Sequence, residues 1–283
     1  MQHIGPFLYL NSQMLNYQKR PCAKLASFVR RYWYFELEDH ETPFSQMSFP
    51  YGSFELICYL ENPNLMRWAG TRDDFFEPTI FFAGQLTRPY TMTFNRRCRC
   101  IGVSLYPWAG NMLYNLPAGE FTNQLVPLDA IYSHSSLYER LLACCDTEAM
   151  FTCLEAYLLK QTASKQNDQL VHQLVRAINQ NPCRDAVSRH LEHLSPGRRR
   201  LEQRFVAATG LSMGLFVRKT RFQKAITLLA GSNDISLTNI GLQAGYYDQP
   251  HFIHEFKAFA GIAPREFNAT GLNAFMTDLI WQE

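Results

Sequence analysis

Nothing in the 283 residues reaches the roughly 18 consecutive apolar positions that a membrane-crossing helix needs. The first ten residues, MQHIGPFLYL, lack the basic segment and long apolar run of a secretory leader, so a reducing cytoplasm is the expected compartment. There is no CxxC pair. The eight cysteines are scattered, with Cys98 and Cys100 as a CRC pair and Cys144 beside Cys145, which argues against structural zinc and for inert thiols. Histidine is scarce where a barrel metalloenzyme would need it. The first 130 residues hold only His3 and His40, neither in an HxH pair. No P-loop, no GxGxxG in a strand-to-helix context and no nucleophile triad is present. These absences weigh against an enzyme and against a bound cofactor.

What is present divides into two halves. The first half is rich in β-branched and aromatic residues broken by Gly, Pro and Asn: SFVRRYWYFEL, SFELICYL, TIFFAG and PYTMTFNRRCRCIGVSLY. This pattern predicts a sandwich or barrel. Two helices are expected to follow, over 136–144 and 147–160. Their apolar sides carry Leu137, Leu141 and Leu142, then Phe151, Leu154 and Leu158, and suit either packing on the barrel or a homodimer contact. The polar run QTASKQND, 161–168, is the expected linker between a first domain over 1–162 and a second over 168–283. Arg67, Trp68, Arg88 and Trp108 are candidates to line a pocket in the barrel.

The second half reads as helices. In GYYDQPHFIHEFKAFAG, Phe252, Phe256 and Phe259 follow a helical period, with Asp248 as N-cap and Gly261 as the stop. The opposite face carries Pro250, His251, His254, Lys257 and Ala258. His251 and His254 alone cannot supply the three or four ligands of a zinc site, so no metal is expected. The segment before it, SLTNIGLQAG, reads as a short helix with Leu237, Ile240, Leu242 and Ala244 inward, closed by Gly245. Helix, tight turn, helix is an arrangement that places its second helix in the DNA major groove.

The pattern occurs twice. A shift of 51 positions carries Leu201 onto Phe252, Phe205 onto Phe256, Gly210 onto Gly261 and Phe216 onto Phe267. The outer face of the first copy is Arg199, Arg200, Gln203 and Ala207. A shared core with a different exterior is what two readers of different base pairs require. Between them, SMGLFVRKTRFQKAITLLA predicts one helix with Leu215, Phe222, Ile226 and Leu229 inward. Its length, roughly 28 Å, is close to one turn of B-DNA at about 34 Å. From Ser195 to Phe267 there are ten Lys and Arg against five Asp and Glu, a charge of +5 in a chain whose net charge is +2. A basic half of this kind supplies the phosphate attraction that dominates DNA affinity. Arg218, Arg221 and Lys257 are the candidate phosphate contacts.

The segments LEQRF…TGLS, then Arg221, Ala225, Leu228 and Leu229, then IGLQAGYYDQPHFIHEFKAFAGIAPREF resemble the DNA-binding domain of the AraC/XylS family of bacterial regulators. Upstream, FPYGSFELICYL, GQLTRPY, IGVSLYPWA and AGEFTNQLVPLDAI are similar to the cupin-like N-terminal domain of one subgroup. The resemblance implies an α+β chain, with a cupin-like β-barrel and flanking helices followed by two helix-turn-helix motifs joined by a long helix. It implies a sequence-specific regulator, an activator, that binds double-stranded DNA. RNA polymerase, a small-molecule effector and a second copy of the chain are the further partners compatible with it. Base reading then falls to Arg199, Arg200, Gln203, Pro250, His251 and His254, and phosphate binding to Arg198, Arg218, Arg221 and Lys257. Where relatives have GLS before the first reading helix, this chain has Ser195, Pro196 and Gly197, so that helix starts at Pro196 or at Arg198. Pro250 and His254 stand where serine and arginine are common, so the DNA site differs from that of relatives. A cupin-type metalloenzyme and a regulator whose barrel only dimerises are the alternatives.

Overall fold

The computed structural model describes residues 14–38, 43–50, 52–110, 117–132, 136–162, 168–182, 197–231 and 236–269. The first half forms two antiparallel sheets. The larger has the strand order β1-β2-β9-β4-β7-β10, with β1 Met14–Lys19, β2 Val29–Leu37, β4 Phe54–Glu61, β7 Ile80–Ala83, β9 Cys98–Leu105 and β10 Leu125–Pro127. The smaller has the order β3-β8-β5-β6, with β3 Phe44–Ser48, β5 Leu65–Trp68, β6 Phe75–Phe76 and β8 Tyr90–Phe94.

The central strands of the larger sheet are buried on both faces, which explains their near-continuous apolar sequence. Because side chains alternate along a strand, one set faces outward to the helices and the next faces into the barrel. Val29, Tyr32, Tyr34, Phe54, Leu56, Ile101, Val103 and Leu105 form the outer core with the helices. Trp33, Phe35, Leu37, Tyr59, Phe81, Cys98 and Cys100 form the inner one. Gly102 lies opposite Trp33 in the ladder, and a Cβ there would fall 2.3 Å from the indole ring. The bare glycine lets Trp33 lie across β9.

Two helices cover the outer core, α1 Leu137–Leu142 and α2 Thr147–Thr162. Leu137, Leu141, Phe151, Leu154 and Leu158 are all buried there, so the predicted stripe packs on the barrel. Leu142 does not; it is 52% exposed, because it sits a quarter turn off the Leu137–Leu141 line.

The second half is helical: α3 Gln169–Gln180, α4 Arg198–Thr209, α5 Met213–Gly231, α6 Leu237–Ala244, α7 Gln249–Ala260 and α8 Pro264–Ala269. Two cores flank α5. The first holds Val171, Leu174, Ile178, Leu201, Phe205 and Phe216. The second holds Phe222, Ile226, Ile240, Phe252, Phe256 and Phe267.

The barrel contributes one aromatic to each helical core. Trp108 enters the first, stacked between Tyr106 at 4.5 Å and His172 at 4.1 Å, with its Nε1 donating to the Ser27 carbonyl at 2.8 Å. Phe49 enters the second, 5.5 Å from Phe267 and 6.3 Å from Phe222. The seam also carries polar contacts. Gln223 donates to the Pro50 carbonyl at 3.1 Å, and the buried ammonium of Lys219 donates to Gln85 Oε1. Lys219 was counted among the DNA-attracting charges; its place at the seam removes it from that set. Burial holds its ammonium well below the ordinary lysine range.

Candidate nucleic-acid interface and barrel cavity

The second reading unit is α6, the turn at Gly245 and α7. Ser236 caps α6 by accepting from the Asn239 N–H at 3.3 Å. Gly245 at φ 94° turns the chain, a conformation that residues with a Cβ rarely adopt. Asp248 then caps α7, accepting from the His251 N–H at 2.8 Å, and Pro250 occupies the first turn, where its missing N–H costs nothing. Phe252, Phe256 and Phe259 are buried, while Pro250, His251, His254, Lys257 and Ala258 are exposed. Leu242 of α6 departs from expectation. It is 55% exposed, because α6 spans only two turns and buries the line through Ile240, Gly241 and Ala244. Gly241 faces Phe252, and a Cβ there would lie 3.1 Å from its Cβ and 3.2 Å from its ring.

In the first unit α4 opens at Arg198 with Gly197 as N-cap. Of the two starts considered, that at Arg198 is the one observed; Ser195 and Pro196 lie outside the described residues. Arg199, Arg200 and Gln203 are exposed, and Ala207 is half-buried. The Arg198 side chain lies outside the described residues. Both reading helices end on a left-handed glycine, Gly210 at φ 78° and Gly261 at φ 74°. Both glycines abut the barrel. Thr122 Oγ1 donates to the Gly210 carbonyl at 2.8 Å, and a Cβ on Gly261 would lie 3.6 Å from Pro89.

The candidate phosphate contacts separate into two kinds. Lys257 is exposed on the outer face of α7. Arg218 is held by a two-point ion pair, its Nε and Nη2 donating to Glu255 at 2.6 and 3.0 Å. Arg221 Nε donates to the Pro182 carbonyl at 2.5 Å, and its guanidinium sits 5.9 Å from the Tyr246 ring. In the first unit Arg204 plays a like part, donating to both Asp168 oxygens at 2.9 and 2.6 Å. Burial works to raise the Asp168 and Glu255 carboxyls, but their arginines outweigh it and hold both below the usual carboxylate range.

One exposed group escaped the sequence reading. Tyr247, 88% exposed, stands at the turn just before α7. The signal for it was the YY pair: Tyr246 is buried in the second core, so its neighbour must point outward.

Between the sheets lies a cavity of about 110 Å³, lined by Trp33, Glu55, Tyr59, Asn64, Glu77 and Phe94 among others. Of the four residues proposed to line a barrel pocket, none lines this one. Arg67 alternates outward from the buried Met66 and pairs with Asp74 at 2.6 Å; Arg88 lies 4.3 Å over the Trp68 ring at the surface. Trp108 borders a cleft of about 630 Å³, but at the seam beside His172 and Arg176. In the barrel cavity, Glu55 accepts from Trp33 Nε1 at 3.0 Å, Ser104 Oγ at 2.9 Å and Ser53 Oγ at 2.7 Å. Glu77 Oε2 accepts from the Tyr59 hydroxyl, whose oxygen accepts from Asn64 Nδ2 at 2.8 Å. Among the described residues no cluster of His, Cys, Asp and Glu is arranged to hold a metal ion, and no helix is long and apolar enough to cross a membrane.

Residues 191–270 match the model of a helix-turn-helix domain. The chain carries an AraC-type helix-turn-helix domain and is a DNA-binding transcription regulator. Residues 17–127 match a domain of unknown function, DUF6597. No curated protein matches the chain at significance. Among solved structures it is similar to ToxT from Vibrio cholerae at 9% identity, covering 92% of this chain and 100% of that one with a TM-score of 0.47. The xylose-binding transcription activator XylR matches at 20% identity over 44% of this chain and 39% of its own, with a TM-score of 0.34. A cupin superfamily protein from Desulfitobacterium hafniense matches at 13% identity over 33% of this chain and 78% of its own, with a TM-score of 0.25.

Proposed function

We propose that this regulator reads two adjacent major-groove segments with α4 and α7, and that occupancy of its barrel controls the reading. The observation that carries the proposal is the pair of exposed polar faces on two equivalent helices, held apart by the 19 residues of α5. Arg199, Arg200 and Gln203 face one segment, and Pro250, His251 and His254 face the next, with Tyr247 at its edge. Arginine favours guanine, while glutamine and histidine can hydrogen-bond base edges. Lys257 and Arg198 bind phosphate. Arg218 and Arg221, engaged inside the domain, act first by fixing α5 against α7 and against the end of α3.

Control by the barrel is supported by the seam. Ser48, Gly84 and Leu86 line the cavity, and their neighbours Phe49 and Gln85 touch the helical half. A change in cavity shape therefore acts directly on residues that hold α5. In this reading residues 1–162 form the sensor and 168–283 the DNA-binding domain. The protein acts in the cytoplasm as an activator, without catalysis of its own, engaging RNA polymerase and able to pair with a second copy on DNA.

The test is selection of binding duplexes from a random library by the full-length protein, followed by footprinting. Two protected segments centred about 10 bp apart on one face of the duplex are expected. His254→Ala and Gln203→Ala should each cost about 1–3 kcal/mol of binding and relax base preference in one segment only. Lys257→Ala should weaken all sequences alike and lower the log–log salt slope by about one unit. Unchanged base preference in both reading variants would sink the assignment.

A further inference from the structure

The barrel cavity has a chemistry that its place in the fold does not dictate. Its polar lining is weighted towards acceptors. Asn64 is only 5% exposed, and its Oδ1 has no hydrogen-bond partner. Its Nδ2 is committed to Tyr59. Glu77 is equally buried; one of its oxygens accepts from Tyr59, and among the described residues nothing donates to the other. Glu55 adds a second carboxylate to the lining, and no Lys, Arg or His of the described residues lines the cavity. Asn64 Oδ1, enclosed without a donor, is costly unless a guest supplies the hydrogen, and the second Glu77 oxygen beside it takes no bond from the described residues. The backbone N–H of Glu77 donates to the Asn64 carbonyl at 3.0 Å, which holds the two side chains at one end of the cavity. The remaining walls are aromatic or aliphatic: Trp33, Phe35, Phe81, Met92 and Phe94.

We infer that the cavity binds a small primary amine, whose ammonium donates to Asn64 Oδ1 and Glu77 while a compact apolar body fills the aromatic end. The assignment rests on the reading of the barrel as a sensor and names the chemical class it senses. Size sets the limit. A cavity of about 110 Å³ is smaller than the ~150 Å³ apolar cavity that accepts benzene, so the body of the amine holds about three or four carbon atoms. The aromatic walls suit a cation through their ring faces. An anion would meet two carboxyl groups and no basic side chain in the lining, and an alcohol would bring one hydrogen where an ammonium brings three. Burial pushes the Glu77 carboxyl up to about 7, so it is partly protonated near neutrality, and an ammonium guest draws it back to the charged form. The titratable groups facing it are Tyr59, Cys98 and Cys100, with Glu55 across the cavity; burial raises Tyr59 and Glu55, while the bond from Cys98 leads the rise at Cys100.

The experiment uses full-length protein and three near-isosteric probes, isobutylamine, isobutanol and isobutyrate, followed by thermal melting and titration calorimetry. Saturable binding and a raised melting temperature are expected with isobutylamine alone, with proton release that grows as pH falls through about 7. Glu77→Gln and, separately, Asn64→Ala should each weaken isobutylamine at least tenfold; the probe comparison on the unaltered protein stands even if one variant fails to fold. Equal response to the amine and the alcohol would show apolar filling only and overturn the inference, as would preference for isobutyrate or no response to any probe. A parallel titration on a selected duplex separates this inference from the function it rests on. If the amine binds without changing DNA affinity, the site stands and control by the barrel falls. If no amine binds while another small molecule alters DNA affinity, the reverse holds.

Discussion

The two reading units share a skeleton and differ in nearly everything laid over it. Leu201 and Phe252, Phe205 and Phe256, Gly210 and Gly261, Phe216 and Phe267 occupy equivalent places, and each unit receives one barrel aromatic, Trp108 or Phe49. Yet the ion pair that braces each reading helix is reversed. In the first unit the reading helix supplies the cation, Arg204, to Asp168; in the second it supplies the anion, Glu255, to Arg218. The same shift of 51 that aligns the cores carries Arg204 onto Glu255. What this architecture preserves is a brace between the reading helix and the helix before or beside it, and the sign of each partner is free so long as the pair stays opposite. The exterior is freer still, which is how one scaffold presents Arg199 and Gln203 on one helix and His251 and His254 on the other.

The comparison is broken most severely through the cores. Phe205→Ala and Phe256→Ala each remove a fully buried ring and should cost about 3–5 kcal/mol, measured by urea melts of the full-length protein. Equivalence predicts that each variant loses DNA protection over its own segment first. Loss of both segments together in both variants would mean that the units are one cooperative body rather than two.

Much of this was legible in the sequence, for physical reasons. A helix that buries one face repeats its apolar residues every three to four positions, so Phe252, Phe256 and Phe259 announced α7, and the glycine stops announced both ends. β2, β4, β7 and β9 of the larger sheet were legible as β-branched and aromatic runs between turn residues, whereas β1 and β10 were not. The seam was not. Lys219 lies on α5 among Arg218, Arg221 and Lys224, and nothing local marks it as the one that is buried; only the approach of Gln85, far away in sequence, decides it. The partners of Arg218 and Arg221 were hidden likewise, because both bonds join segments 37 and 39 residues apart. The cavity was misread towards Arg67, Trp68 and Arg88 because alternation along a short strand gives no absolute inside. Asn64 and Glu77 sit in connections beside β5 and β6, where no period applies.

The seam offers the next largest effect. Lys219 places an ammonium in the interior with one amide oxygen, Gln85 Oε1, as its hydrogen-bond partner among the described residues, and burial depresses it. A base whose folded value is depressed gives its full stability above its ordinary value near 10.4 and loses it as pH falls through the folded value. Lys219→Met keeps the shape and removes the charge, so it should raise stability by about 1–3 kcal/mol near pH 7. It should also flatten the rise in stability of the unaltered protein between pH 7 and 10. A destabilised variant with an unchanged pH profile would show that the ammonium has further partners at the seam.

A smaller effect distinguishes the two braces. The Glu255 side chain is 10% exposed and that of Asp168 28%, while both arginines are about 40% exposed or more. Solvent therefore screens the first pair more, and a double-mutant cycle on Asp168 and Arg204 should give roughly 0.5 kcal/mol of coupling. The cycle on Arg218 and Glu255 should give about twice that, because removing Arg218 strands a carboxylate that is nearly enclosed. Both carboxyls are depressed, so both contributions are present above the ordinary carboxylate range and are lost as pH falls below it through the depressed folded values. Equal couplings in the two units would make burial irrelevant to the brace.

The smallest effect is the sharpest for function. α7 starts on Asp248, whose side chain caps it, whereas α4 starts on Gly197, which has no side-chain cap. Gly197 has φ −47° and ψ 139°, which any residue can adopt, and a Cβ there would meet open space. Serine or aspartate should therefore fit without strain and add the missing bond to the first turn, raising stability by a few tenths of a kcal/mol each. On DNA the two should part. If the start of α4 lies against a phosphate, as the phosphate role proposed for Arg198 implies, the serine leaves binding within twofold, while the aspartate weakens every sequence alike by its charge. The loss should shrink with added salt, since the repulsion is screened over roughly 10 Å at 0.1 M. An aspartate variant that binds as tightly as the serine variant at low salt would place this end of α4 away from the phosphate backbone. The two units would then dock with opposite ends leading, against the equivalence of their cores.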